Sequence, residues 1–169
     1  MADEIINRVA NSKLKVIDLE DFYPEGKRVR LDISEWLFEG LILREKDFRE
    51  SVKQHNWDQY HNCYVALHCS TDAIIPSWAY FLISVSLSNV AKKCVVGDLE
   101  LLESILFNDI IKNFSVEQFK DRPVIVKGCS DKRIPESAYV GLCQKLVPVV
   151  SSLMFGEACS SVPLFKKKK

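Results

Sequence analysis

Two short apolar runs each predict a buried parallel strand. They are YVAL at 64–67 and PVIV at 123–126, and their length and β-branched residues are typical of strands covered on both faces. A polar turn and then a proline follow each run, and the proline predicts the first turn of a helix, where a missing N–H costs nothing. We expect these helices to run to about Val90 and Val150. A second short strand then ends at a glycine followed by an acid, in CVVGD and LMFGE.

The first 55 residues are less regular and predict a β/α extension. The runs RVRLDI at 28–33 and LFEGLILRE at 37–45 have the apolar content of further strands, and DFRESVKQH at 47–55 predicts a helix. An alternative is a helix over 34–45 that Asp32 caps together with Glu35. Both alternatives leave the later strands unchanged.

The chain also resembles itself at an offset of 59 positions. Residues 57–68 align with 116–127, and the inserted Gly128 is balanced by a shorter turn after it. We therefore predict an α/β fold in a single domain: a mainly parallel sheet of two duplicated strand–loop–helix–strand units with an N-terminal extension. The alternative is two similar units that share only local propensities. The predicted segments are the extension 1–55, repeat one 56–106, a linking helix 98–114, repeat two 115–165 and a basic tail 166–169.

Composition narrows the function classes. The 169 residues are 47% hydrophobic and 27% charged, as in an ordinary globular domain. The chain has 23 Lys and Arg residues and 23 Asp and Glu residues. It therefore has no net positive charge that would favour binding to nucleic acid or to an anionic membrane.

The acidic residues in MADEI argue against a secretory signal, and we expect a cytoplasmic protein whose cysteines stay reduced. The uncharged run 73–91 contains proline, serines and asparagine, which favours a buried helix over a membrane span.

A Cys-Ser pair stands ahead of a proline three times, at Cys69, Cys129 and Cys159. Ligands of open α/β sheets bind at the carboxyl ends of strands, and right-handed crossovers would bring the strand ends of both units to one edge. We therefore expect the three thiols to meet there, with Glu157 and Asp72 as further ligands. Thiolates are favoured beside helix N-termini, and three of them with an acid suit zinc or an iron–sulfur cluster. The predicted supporting residues are Ser70, Ser130, Ser160 and Asp98.

Two other interpretations of these turns stay open. The serines and acids are also typical caps of exposed backbone N–H groups, including Asp72 and Asp131. The chain would then be a non-catalytic scaffold or interaction protein, with a homodimer among its states. Alternatively, a rhodanese-like sulfur carrier needs only one reactive thiolate held by backbone N–H groups, a role that suits Cys69 or Cys129.

Further candidate chemistries are less well matched. HCSTDAIIP begins like the loop of cysteine phosphatases, but Ile75 stands where the phosphate-binding arginine would be. Because neighbouring strand residues face opposite ways, the histidines and cysteines of 55–69 form a weaker metal site; they are His55, His61, Cys63, His68 and Cys69. We interpret Cys63, Cys94 and Cys143 as core residues.

Several phrases together resemble a bacterial family known as domain of unknown function 2480. They are CSTDAIIPSWAY, KGCSDKRIP with AYVGL, and SLMFGEACSSVPLFK, while DLEDFYPEG and LFEGLILREKDFR are similar to its N-terminal part. The resemblance covers nearly the whole chain and implies no established activity. An association of such genes with sulfur mobilisation adds iron–sulfur assembly components as expected partners. Our leading hypothesis is an accessory protein that binds zinc or an iron–sulfur cluster, with no membrane or nucleic-acid partner.

Overall fold

The computed structural model describes residues 13–128, 131–157 and 159–168. Within these residues the protein is mixed α/β, with four α-helices and two sheets of mostly parallel strands. The strands are β1 (Lys15–Ile17), β2 (Arg28–Asp32), β3 (Tyr64–His68), β4 (Lys93–Val96), β5 (Pro123–Val126), β6 (Ser152–Glu157) and β7 (Ser160–Lys166). The helices are α1 (Glu45–Gln54), α2 (Ser77–Leu87), α3 (Leu99–Asn113) and α4 (Glu136–Leu146).

The chain forms two compact units. The inner unit is Glu25–Ile105, and its sheet has the parallel order β2-β3-β4. The terminal unit joins the described residues up to Pro24 with those from Leu106 onward, and its sheet has the order β1-β5-β6-β7. The predicted class is confirmed, but the prediction of one sheet is wrong. The single-domain organisation and the duplication stay predictions.

The division into two sheets follows from where the first two strands pair. Strand β1 pairs with β5 in parallel, although the whole of the inner unit lies between them in sequence. Strand β2 pairs instead with β3. Only three residues form β1, too few for an alternating pattern to identify it. This long-range pairing is what the sequence analysis did not find.

Two other expectations need correction. The run 37–44 forms neither a strand nor a helix, since Phe38 and Ile42 make one antiparallel bridge around a tight turn and α1 begins only at Glu45. That turn places Glu39 and Gly40 at φ of 52° and 71°. At the other end of the chain β7 was not predicted, and it pairs antiparallel with β6, so that Lys166 belongs to a strand rather than to a tail.

The predicted helices form, with small differences at their ends. Helix α1 confirms the helix of 47–55, and α3 confirms that of 98–114. Helices α2 and α4 end earlier than expected, because the carbonyls of Leu87 and Leu146 accept hydrogen bonds from Val90 and Val149 in a closing turn. In the described part of the chain, no helix has the length and apolar character needed to cross a membrane.

The two units have matching local geometry at the predicted offset. Val65 pairs with Cys94 in the inner sheet, and the corresponding Val124 pairs with Leu153 in the terminal sheet. The helices that follow have proline at the cap position in both units. They also bury the same face, which consists of Ala79, Ile83 and Leu87 in α2 and of Ala138, Leu142 and Leu146 in α4.

Each unit has its own hydrophobic core. In the inner unit, α1 and α2 pack with Leu31, Val65 and Leu67 of the sheet. In the terminal unit, α4 and the end of α3 pack with Val124 and Leu153. Each sheet is therefore held in place by helices of its own unit, which fixes the positions of the loops at its strand ends.

An ion pair in the inner unit and a lysine in the terminal unit each bind polar groups of α3 or its end. Arg28 of β2 donates to Glu103 of α3 at 2.6 Å, and their side chains are only 14% and 12% exposed. Among the described residues Glu103 is the buried charged group, so the pair fixes α3 on the inner sheet even if its net stabilisation is small. In the terminal unit, Lys145 Nζ donates at 2.9 Å to three carbonyls at the end of α3, groups that a helix leaves unsatisfied.

Each unit has a cluster of aromatic side chains, and one position that is histidine in the inner unit is phenylalanine in the terminal unit. In the inner unit the His55 ring stacks on Tyr60, with Nε2 2.9 Å from the Tyr60 hydroxyl, and meets Trp36 edge to face. In the terminal unit Phe114 stacks on Phe119 in the same way and meets Phe22. Burial lowers the pKa of His55, so the folded protein favours the neutral ring.

Replacing His55 by the phenylalanine that the terminal unit uses should change the pH dependence of stability. Because the pKa of His55 is lower in the folded chain than its usual value of about 6.5, the unfolded chain takes up a proton first as pH falls. The free energy of unfolding of the wild type should therefore fall below about pH 6.5 more steeply than that of His55→Phe. Denaturant unfolding across this pH range measures the difference, and parallel curves would contradict it.

Candidate functional site at the carboxyl ends of the strands

Asp32 organises the strand ends of the inner unit. Its Oδ1 accepts hydrogen bonds at 3.0 Å from the backbone N–H groups of Ser34 and Ser70. The hydroxyl of Ser70 also donates to that of Ser34 at 3.0 Å. Partial burial raises the pKa of Asp32, but the hydrogen bonds from Ser70 and Ser34 outweigh burial and lower it to about 2. An ionised carboxylate on β2 therefore holds the loop that follows β3.

Cys69 lies in this loop and is half-buried. Its Sγ is 3.3 Å from the hydroxyl oxygen of Thr71, and that hydroxyl donates to the carbonyl of Gly40 at 2.6 Å. Since the Thr71 proton is used by Gly40, the thiol is the donor to Thr71. The thiol therefore helps to join one loop to the next.

The other predicted residues of this unit have different roles. Helix α2 begins only at Ser77, so Cys69 and Ser70 are not at its first turn, and Ser70 bonds to Asp32 and Ser34 instead. Asp72 is exposed. Asp98 caps α3, because its Oδ1 accepts from the N–H of Leu101 at 2.8 Å. The hydrogen bonds of Ser70 and Asp98 are thus structural ones.

The terminal unit has an ion pair at the equivalent edge. Asp18 follows β1, and its carboxylate lies 2.8 Å from Lys127 Nζ and accepts from the N–H of Glu20. Burial raises the pKa of Asp18, but the bonds from Lys127 and Glu20 outweigh it and lower the pKa. The pKa of Lys127 is raised by Asp18 and, more weakly, by Glu157. At this edge the ammonium group of Lys127 therefore lies near the carboxylates of Asp18 and Glu157.

The structure brings two of the predicted ligands to this edge. Glu157 ends β6, and Cys159 is exposed in the hairpin that leads to β7. Ser160 is the first residue of β7 and pairs with Glu157, so this Cys-Ser pair lies in a β-hairpin and not before a helix. Cys129 and Ser130 lie outside the described residues.

The shared edge that the metal hypothesis requires does not follow from the fold. Cys69 follows a strand of the inner sheet, whereas Cys159 follows a strand of the terminal sheet. Parallel strands share a carboxyl edge only within one sheet, so this rule gives no reason to expect Cys69 and Cys159 at the same edge. In residues 13–128, 131–157 and 159–168, no three His, Cys, Asp or Glu side chains are placed to hold a metal ion.

The cysteines interpreted as core residues are consistent with that role. Cys63 is buried and donates to the carbonyls of Gln59 and His61. Burial raises the pKa of Cys94 to about 11, so this thiol stays protonated. Cys143 of α4 packs against the terminal core. The weaker His and Cys cluster is divided by packing, since His55 belongs to the aromatic cluster and His61 is exposed.

The outer face of α2 is a feature that the sequence analysis missed. Phe81 and Val85 of the helix are 72% and 70% exposed, and Ile74 in the loop just before it is 93% exposed, although the helix is otherwise part of the inner core. The corresponding positions in the terminal unit are Arg133, Val140 and Gln144, which are also exposed. Comparing the two repeats for their outward positions, rather than for their matches, would have found this difference.

A comparison with known proteins places the chain in a family. The family described as "Protein of unknown function (DUF2480)" matches residues 3–167. The chain belongs to this family. No curated protein and no solved structure matches this DUF2480 protein. Its function therefore has to be argued from its own surfaces and loops.

Removing the Asp32 carboxylate should loosen the loop of Cys69 in this DUF2480 protein. We expect Asp32→Ala to lower the free energy of unfolding by roughly 2 kcal/mol, because hydrogen bonds to a charged acceptor are lost. Cys69 should also react faster with iodoacetamide. Since the folded pKa of Asp32 is about 2, the stability difference should be complete above about pH 4 and shrink as pH falls towards 2.

Glu35→Ala is the matched control, because Glu35 is an exposed carboxylate in the adjoining turn. It should change the free energy of unfolding by less than about 0.5 kcal/mol. Equal effects of the two substitutions would show that Asp32 does not hold the loop.

Proposed function

We propose that this DUF2480 protein is a non-catalytic interaction protein that binds an uncharged apolar protein surface with the outer face of α2. The observation that carries the proposal is the exposure of Ile74, Phe81 and Val85. These side chains lie outside the inner core, so folding does not account for them. Exposed apolar patches of this kind are typical of binding surfaces.

The charge of the segment limits the kind of partner. Residues 73–91 contain no Asp, Glu, Lys or Arg. Nucleic acids and anionic membranes are bound through Lys and Arg, and charged peptides need opposite charges. An apolar protein surface fits this chemistry best.

The similarity of the two units supports the argument. We propose that they arose by duplication, in agreement with the equal offset of their strand registers and buried helix faces. Helix α4 then serves as an internal reference for α2, because it buries apolar residues at the same positions while Glu136, Val140 and Gln144 lie outside. An apolar exterior is thus a property that α2 has in addition to its place in the fold.

The Cys-Ser loop of the inner unit fits a structural role within this proposal. Ser70 and Thr71 both use their polar groups to join the loop to Ser34 and Gly40, and Asp32 fixes the backbone. The thiol of Cys69 contributes to the same network. A loop stabilised in this way supports the start of α2, which follows it in the chain.

A photo-reactive phenylalanine analogue at position 81 tests the proposal in cells. We expect it to cross-link to one defined protein, because Phe81 would be covered by the partner, while the same analogue at position 140 of α4 should give no such product. Mass spectrometry identifies the product, and the purified partner must cross-link to position 81 again. Absence of a product at 81, or equal products at 81 and 140, would overturn the proposal.

A second proposal retains the predicted metal site, now centred on the terminal unit. It is favoured by the location of Glu157 and Cys159 at the end of β6. Cys129 comes soon after β5, the strand beside β6. Two thiolates and a carboxylate are suitable ligands for zinc. The chain would then be an accessory protein, linked to iron–sulfur assembly if the bound group is a cluster.

Metal analysis after anaerobic purification distinguishes this proposal. If it is correct, the wild type contains zinc or iron and Cys129→Ser loses it. Cys69→Ser is the matched control: it should keep the metal if the site belongs to the terminal unit and lose it if all three cysteines are ligands. Metal-free wild type would contradict the metal proposal.

Mass spectrometry after incubation with a cysteine desulfurase tests the sulfur-carrier alternative, which requires added sulfur on Cys129 or Cys69.

A further inference from the structure

We infer that the partner of the α2 face is a second copy of this chain, with α2 packed antiparallel on α2 of the other copy about a two-fold axis. The inference rests on the proposed function, because it names the occupant of the same surface. It also goes further, since it gives the symmetry of the complex. Three features of the segment favour this occupant.

The first feature is its charge. In a two-fold contact the same patch lies on both sides, so every charge near the axis would face a like charge. The run 73–91 has none. The charged residues that flank it are Asp72 and Lys92, both exposed and opposite in sign. Antiparallel packing places the Asp72 end of one copy towards the Lys92 end of the other, and it also opposes the two helix dipoles.

The second feature is its area and outline. Ile74, Phe81 and Val85 together expose on the order of 400 Å² of apolar side chain, the size of a functional patch on a small protein. Each partner of a standard interface buries about 800 Å², with a polar rim around an apolar centre. The exposed serines at 77 and 88 supply such a rim, while the exposed Ser84 lies between Phe81 and Val85 in the centre. Their small side chains also let two helices approach closely.

The third feature is the contrast with α4. There Glu136 stands where α2 has Ser77, and Arg133 stands where α2 has Ile74. The corresponding contact through α4 would bury these two charged side chains at positions where α2 has uncharged ones. Only one of the two related helices is therefore suited to self-association, which favours a closed dimer over a longer assembly.

Sedimentation velocity of the full chain over a concentration series tests the inference. The wild type should sediment as a dimer. Phe81→Glu and Ser84→Arg should each weaken dimerisation at least about 30-fold, because each places a charge in the buried centre. Val140→Glu, on the corresponding face of α4, should leave the dimer intact. Thermal unfolding followed by circular dichroism shows whether each variant is folded, and the two α2 variants test the same contact independently.

The outcomes separate this inference from the proposed function. A wild type that is monomeric at every concentration overturns the second copy, while cross-linking at position 81 to a different protein would still support the proposed function. A dimer that survives both α2 substitutions, or one that Val140→Glu also disrupts, overturns the inference as well. Monomers that bind uncharged lipid vesicles through Phe81 would overturn both.

Discussion

The carboxylate of Asp32 is the interaction on which the loops of the inner unit depend. Parallel strands end at one edge, and the backbone N–H groups beyond their ends need acceptors. Asp32 supplies one oxygen to two such groups, one in the turn just beyond its own strand and one in the loop after the next strand. Asp18 has the equivalent place in the terminal unit, where Lys127 is its partner. The conformation of the Cys-Ser loop is therefore determined by an acid on a neighbouring strand.

This arrangement changes the interpretation of the repeated cysteines. A thiol that donates to Thr71, in a loop held by a carboxylate, is part of the scaffold. A thiol in an exposed hairpin, such as that of Cys159, has a different environment. The three similar sequence phrases thus correspond to local structures that are not all alike. The shared Cys-Ser sequence predicted where strands end, but it did not predict the different hydrogen bonds and turns around Cys69 and Cys159.

The sequence allowed good predictions where structure is local. Helices α1 to α4 and strands β3 and β5 follow from apolar spacing and from the prolines at 76 and 135, which act within a few residues. The division into two sheets depends on β1 pairing with β5 across the whole inner unit, and a three-residue strand carries no periodic signal. The contact of Asp32 with Ser70 was missed for the same reason, because it exists only once β2 and β3 are known to be neighbours. The letters VIDLE and RLDIS at the ends of β1 and β2 did contain a hint of this shared acid.

The similar packing of α2 and α4 also explains why a comparison of their outer faces is useful. Packing constrains the buried residues of α2 and α4 in the same way, so their outward residues are free to differ. The more apolar exterior of α2 is the difference on which the proposed function rests. The loop that precedes α2 nevertheless depends on one carboxylate, that of Asp32. A titration of that carboxyl group by carbon-13 NMR tests the claim most directly: the account predicts a pKa of about 2 for Asp32, and a value close to the ordinary 3.8 would contradict it.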